Sequence, residues 1–315
     1  MTIATAPGPT VSREGYGSGL TLAVLSAASF GLSGSLARSL LEAGWSPAAA
    51  VAFRVLGAGV VLLVPCLVVL RRSGRPTGPQ LGRMLVYGAV AVAGAQLCYF
   101  SAVQRLSVGV ALLLEYSAPV LLIFFHWARS RRRPATSVFV GAALAVLGLV
   151  FVLDLRSATT LDPIGVVWGL GAALCLCAYF VLGEQAGPSA PVPPLVLSTV
   201  GMGVGGLLIL ALGALGVLPL FASTQPTELA GLRVGWAVPA LLLVTVSGAL
   251  AYLTGIVALR RLGSSVASFV SLTEVIFAVI FAVVLVGQHP SATQLVGGVL
   301  VLAGIGVVQR RAGTN

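Results

Sequence analysis

The sequence predicts an all-α membrane protein of ten transmembrane helices, built as two inverted five-helix repeats with both termini cytoplasmic. Three observations carry this prediction: long apolar runs, a one-sided distribution of arginine, and an internal repeat. The chain has 315 residues, of which 58% are hydrophobic and 8% charged. Its mean hydropathy is +1.06. Soluble domains carry roughly 25% charged residues, so this chain lacks the polar side chains to cover a water-facing surface.

A spanning helix needs about 20 apolar residues. Runs of that kind cover residues 19–41, 47–70, 83–102, 107–128, 135–154, 163–184, 193–216, 235–259, 264–286 and 291–309. Breakers separate them: Trp45-Ser46-Pro47, Arg75-Pro76, Arg133-Pro134, Asp162-Pro163, Pro191 to Pro194, and His289-Pro290. Backbone groups in lipid must find partners within their own segment, so the runs are predicted to be helices. Residues 1–18 are polar, hold Pro7 and Pro9, and read as a disordered tail. The first apolar run is too long for a signal-peptide core and reads as the first span. The expected organisation is a tail at 1–18, a first five-helix repeat at 19–154, a second at 163–309, and a short tail at 310–315.

All 18 basic residues are arginine, and the net charge is +10. Most of these arginines sit in short connections between apolar runs. With the N-terminus inside, the inner segments carry thirteen of them: Arg13, Arg71, Arg72, Arg75, Arg83, Arg129, Arg131, Arg132, Arg133, Arg260, Arg261, Arg310 and Arg311. The outer loops carry Arg105, Arg156 and Arg233, and Arg38 and Arg54 fall within spans. This is the positive-inside pattern of a membrane protein, not a phosphate-binding face, so no nucleic-acid partner is predicted. The lack of lysine and the wealth of Ala, Gly and Arg fit a GC-rich bacterial genome.

Residues 102–150 align with 258–306 at an offset of 156, with 11 identities in 49 positions and no gap. The matches Pro134/Pro290, Gly141/Gly297 and Gly148/Gly304 weigh most, because Pro marks a helix start and Gly a close helix contact. The repeat contains five spans, an odd number, so the second copy is expected upside down. Inverted repeats are common in secondary transporters, which bind substrate near the midplane.

Two further stretches carry a resemblance. Gly44-Trp45-Ser46-Pro47 with Ala52-Phe53-Arg54, and the run from Glu274 to Gly287-Gln288, resemble the drug/metabolite transporter superfamily, specifically its EamA-type members. The family's ninth span typically reads Glu-Pro, an apolar run, then Gly-Glu; Val275 and Gln288 depart from that pattern. Val110 to Pro119, which includes Glu115, resembles the fourth span of the threonine/homoserine exporter branch. The resemblance covers Gly19 to Val308. It implies a ten-helix transporter in the bacterial inner membrane, with a central cavity lined by spans one to four and six to nine.

An ionisable residue inside a span is costly and points to function. Glu115 lies eight residues into the fourth run, about 12 Å from its end, and Glu274 ten residues into the ninth, about 15 Å from its end. In the repeat frame Glu115 matches Ser271 and Glu274 matches Ala118. Positions 115 and 118 are three apart, so the acids occupy equivalent faces of equivalent helices. Facing one cavity, they could bind a substrate ammonium. They could equally take up a proton, because burial disfavours the charged form, or lock helix packing as hydrogen-bonded acids.

Ser264, Ser268, Ser271 and Glu274 form one helical face, suited either to a wet cavity or to a helix–helix seam. Gln96 and Tyr99 suit a substrate carboxylate or amide edge, or interhelical hydrogen bonds. Tyr116, Trp168, Tyr179 and Tyr252 are candidate cavity walls, although Trp168 and Trp127 also fit an interfacial aromatic belt. Arg54 either snorkels outward, attracts an anionic group, or pairs with Glu42. Arg38 falls at an outer helix end and reads as interfacial. Pro119 inside the fourth run is expected to kink it beside Glu115 and serve gating. The glycines of the seventh run allow close approach or bending.

Cys66, Cys98, Cys175 and Cys177 lack metal spacing and read as packing residues. His126 and His289 stand apart from any acid, so no metal centre, hydrolytic triad or cofactor is predicted, and the chain is not read as an enzyme. It carries no nucleotide-binding motif, so ATP is not an expected partner. The leading reading is a secondary transporter that exports small metabolites, amino acids or related compounds, by alternating access. Its partners are then a small-molecule substrate and the lipid bilayer, with the proton as candidate coupling ion; facilitated diffusion is the other energy source. The second reading is efflux of cationic hydrophobic compounds. The third is a membrane enzyme or a non-transporting subunit.

Overall fold

With water excluded, backbone amides are satisfied within helices, and helices dominate this chain. The computed structural model describes residues 13–74, 76–118, 121, 136–152, 162–184, 192–271 and 273–312. The first repeat contains α1 (Arg13–Glu42), α2 (Pro47–Ser73), α3 (Gly78–Val86), α4 (Ala95–Arg105), α5 (Val108–Glu115) and α6 (Thr136–Val152). The second contains α7 (Pro163–Glu184), α8 (Pro194–Ala214), α9 (Ala237–Val244), α10 (Ala251–Ser271), α11 (Thr273–Val286) and α12 (Ala292–Ala312). A π-helical segment, Tyr87–Gly94, joins α3 to α4, and another, Thr245–Leu250, joins α9 to α10.

Among the described residues, five stretches are long and apolar enough to cross a membrane: Gly17–Glu42, Pro47–Ser73, Gly78–Arg105, Leu195–Ala214 and Ala237–Gly255. Pro163–Tyr179, Thr273–Val286 and Ala292–Gly304 are shorter apolar helices. The chain is therefore a mostly helical, multi-pass membrane protein.

The helix starts follow the breakers. Ser46 caps α2 by accepting from the Ala49 N–H at 3.2 Å, with Pro47 next in line. Asp162 accepts from the Ile164 N–H at 2.8 Å at the start of α7 and pairs with Arg105 at 2.7 Å. The hydrogen bond from the Arg105 guanidinium holds this carboxyl below the usual carboxylate range.

Several boundaries differ from the sequence reading. Residues 13–18 belong to α1 and not to a tail, while residues 1–12 lie outside the described residues. The third span begins at Gly78, before residue 83, because Thr77 and Gln80 form a capping box there. The all-α expectation fails in one connection, where β1 (Thr227–Leu229) and β2 (Leu232–Val234) form an antiparallel hairpin. Helix α10 runs unbroken through 260–263, where a connection was expected, and is described as far as Ser271. The apolar count does not register this, since the residues on both sides are equally apolar.

The two repeats interlace and do not form separate bundles. Helix α1 packs mainly on α10 and α11, and α7, which opens the second repeat, packs on α4 and α5. Helix α2 packs on α8, and α6 on α12. This is the pattern that exchange of two equivalent repeats generates. The π segments obey it too: Thr245–Leu250 falls on 89–94 at the offset of 156.

The α6–α12 seam depends on Gly148. A Cβ there would meet the Gly297 carbonyl oxygen and the Val301 nitrogen, both backbone, at 2.6 Å. We predict that Gly148→Ala costs about 1–3 kcal/mol and lowers the thermal midpoint of the protein in lipid nanodiscs. An unchanged midpoint would show that the two helices do not meet there.

Candidate functional site

The site is organised around Arg54, which projects from α2 and is 3% exposed. A guanidinium inside a membrane protein requires partners for its donors. Arg54 Nη1 donates to Ser33 Oγ on α1 at 2.6 Å and to Gln96 Oε1 on α4. Its Nη2 donates to the Ser247 carbonyl in the second π segment at 2.9 Å. Its guanidinium carbon lies 5.7 Å from the centre of the Phe100 ring, a cation–π distance. These are neutral partners, so the charge stays in the interior. The Glu42 alternative fails: Glu42 pairs with Arg38, one turn away on α1. Arg38 also donates to the Val103 carbonyl at 2.7 Å, where the carbonyls at the end of α4 lack intrahelical partners.

Glu115 and Glu274 share the electrostatic field of Arg54 with Tyr99 and Tyr252. Glu115 is the last residue of α5, where a turn at Tyr116 and Ser117 ends the helix, and Glu274 lies on the described helix Thr273–Val286. Glu274 Oε2 accepts from the Tyr116 O–H at 2.9 Å. Glu115 is half-buried and has no hydrogen-bond partner among the described residues.

Close approach of α1 sets these positions. A Cβ at Gly31 would lie 2.9 Å from the Glu274 carbonyl oxygen, and one at Gly34 would collide with the Tyr99 hydroxyl. Only hydrogen fits at either position.

The π segments matter for aim. One extra residue per turn rotates the helix that follows, and such segments recur at functional sites. The first releases the chain into α4 just before Gln96, and the second into α10 just before Tyr252. These two residues are equivalents at the offset of 156. The Tyr252 ring meets Phe30 edge-on at 5.0 Å, and Tyr179 lies 5.7 Å from Tyr87. Tyr99, Tyr116 and Tyr252 thus lie within the field of the charged groups, and Tyr87 and Tyr179 adjoin Tyr252.

Of the residues singled out from sequence, Arg54, Gln96, Glu115, Glu274, Tyr116 and Tyr252 meet in one cluster, with Tyr179 joined to it through Tyr87. Tyr99 is 5% exposed, with its hydroxyl against α1. Ser271 is half-buried at the end of α10. The side chains of Ser264 and Ser268, and Pro119 with its expected kink, lie outside the described residues. Trp168 packs half-buried against the core. Gly201 and Gly205 of α8 bring that helix against Tyr87 and Gly88. Cys98 and Cys175 face one another across the α4–α7 interface. No group of three metal-ligating side chains occurs among the described residues.

Three participants escaped the sequence reading. Ser33 is one serine among several in α1. Ser247 contributes a backbone carbonyl, which any residue carries. Gln288 accepts from the Val108 N–H at 3.0 Å, capping α5 from the far end of α11. Its place beside the conspicuous Glu274 run was the available signal.

Comparison with known proteins bears on this cluster. The model of the EamA-like transporter family matches residues 17–154 and again 163–310. The threonine/homoserine exporter RhtA of Escherichia coli (strain K12) is 29% identical over 225 residues, covering 71% of this chain and 70% of that protein. Protein PecM of Dickeya dadantii (strain 3937) is 26% identical over 263 residues, 84% of this chain and 83% of PecM. One solved crystal structure superposes with a TM-score of 0.62 at 20% identity, covering 93% of this chain and 98% of that one, a likeness of fold.

Arg54→Lys tests the anchor. An ammonium on a flexible stem cannot replace a planar fork that reaches three partners, and each buried acceptor left unpaired costs about 1–3 kcal/mol. The expected result is a clearly lower thermal midpoint in nanodiscs. A wild-type midpoint would show that the fork is dispensable.

Proposed function

The chain belongs to the EamA-like transporter family, and on that premise we propose that it is a secondary transporter exporting amino acids or closely related small metabolites across the bacterial inner membrane by alternating access. The observation that carries this reading is the pair of carboxylates, Glu115 and Glu274, held beside a buried guanidinium. Transporters of this architecture bind substrate and coupling ion at polar groups near the midplane. The likeness to a threonine/homoserine exporter supports an amino acid as cargo.

In this reading Glu115, which has no hydrogen-bond partner among the described residues, takes the substrate ammonium. Glu274 waits behind its hydrogen bond from Tyr116 and completes the site when that bond breaks. Either acid serves as the proton carrier if the proton gradient drives export. The chain then has ten spans in two inverted repeats, at 19–154 and 163–309, with both termini cytoplasmic. The moving units are not the two sequence repeats. One is α1 with α10 and α11, the other α7 with α4 and α5, and the Tyr116–Glu274 bond joins them. Pro119, three residues after Tyr116 in the sequence, serves gating.

A second reading, efflux of cationic hydrophobic compounds, is favoured by one observation. Five tyrosines and two acids suit an organic cation, and Arg54 is sealed from direct contact with a substrate carboxylate.

The test is uptake of labelled threonine and homoserine into inside-out vesicles, for wild type, Glu115→Gln and Glu274→Gln, with the proton gradient intact or collapsed. Wild type is expected to accumulate substrate, and each variant to lose about ten-fold or more of the initial rate, as loss of a charge-assisted contact implies. Competition by a quaternary ammonium compound, with no amino-acid uptake, would favour the second reading. Wild-type vesicles that take up neither class would overturn the proposal.

A further inference from the structure

The cluster contains one group whose orientation follows from chemistry alone. A guanidinium has only donors, so the atom of Gln96 that faces Arg54 must be its carbonyl oxygen, Oε1. The amide nitrogen of Gln96 must then point the other way. Among the described residues that nitrogen has no partner. It is not a sealed, orphaned atom either: Gln96 is half-buried, and the buried polar atoms left without partners are hydroxyls, of Ser35, Ser39, Ser117, Thr227 and Ser247. Two N–H donors therefore face accessible space, on the helix whose Cys98 and Tyr99 lie within the field of Glu115.

From this we infer that Gln96 is the specificity-determining residue that selects substrates bearing a carboxylate. The inference rests on the export reading given above and names the half of the substrate that the two acids cannot hold. A zwitterion brought to Glu115 by its ammonium places its own carboxylate among acids, which repel it. Arg54, 3% exposed and with three of its five N–H donors given to protein acceptors, is too enclosed to take that carboxylate. The Gln96 amide can. Its carbonyl is polarised by the guanidinium behind it, which strengthens the N–H donors in front. Hydrogen bonds from those donors to an anion are charge-assisted. The positive charge thus reaches the substrate through the amide, while the guanidinium stays dry. A Gln placed just after a π segment, with its acceptor tied back, is held at a fixed angle, which specificity requires.

Gln96→Glu isolates this role. A carboxylate at position 96 still accepts from Arg54, so the anchor keeps its partner and the protein its fold. Only the outward donors are lost, replaced by an acceptor. A second variant, Gln96→Met, removes the donors without adding charge. Affinities of the purified protein in nanodiscs are measured by calorimetry for threonine and for 1-amino-2-propanol, which is threonine without its carboxylate. The reading is the ratio of the two affinities. In both variants the preference for threonine over the amine is expected to fall about ten-fold or more, the scale of discrimination when a polar contact is lost. If wild type binds threonine and the ratio is unchanged in Gln96→Glu, the inference is wrong while the export reading stands. If wild type binds neither compound, the export reading itself fails and takes the inference with it.

Discussion

A single positive charge inside the bundle constrains everything around it. Removing a guanidinium from water costs several kcal/mol unless its donors are matched, and Arg54 meets that demand by drawing on α1, α4 and the second π segment at once. Those elements come from both repeats. The bond network therefore ties the interlaced bundle together at its centre, and its neutral acceptors leave the positive potential free to act on Glu115 and Glu274. Two acids beside one fixed cation form a site whose charge balance a small ammonium can complete.

The geometry that brings the acids inward depends on backbone devices more than on side chains. Gly31 and Gly34 let α1 lie against the first turn of α11 and against Tyr99. The π segments set the angle at which Gln96 and Tyr252 leave their helices. They occur at equivalent places in both repeats, as expected of an architecture inherited by duplication and then specialised: Gln96 in one copy, Tyr252 in the other.

Much of this was legible in the sequence. Composition, the arginine bias and the breakers gave a multi-pass helical protein, because lipid imposes one dominant constraint on backbone and side chain alike. The offset of 156 exposed the duplication, and the rarity of charge within apolar runs exposed Glu115, Glu274 and Arg54. What stayed hidden has a common cause. The π segments, the unbroken course of α10 and the hairpin at 227–234 are set by hydrogen-bond registers that apolar residue types do not encode. The Arg54 partnership was misread for a related reason. Glu42 is the nearest acid in sequence and on the helix surface, but a buried cation is satisfied by the acceptors that packing brings near, here a serine, a glutamine and a carbonyl.

In the proposed mode of binding, substrate sits within this cluster without touching Arg54. A structure of the protein in lipid nanodiscs with threonine bound tests this. The expected ligand density has its ammonium at Glu115 and Glu274, with protein side chain between the ligand and Arg54. Density in direct contact with the Arg54 guanidinium, or bound away from both acids, would contradict it.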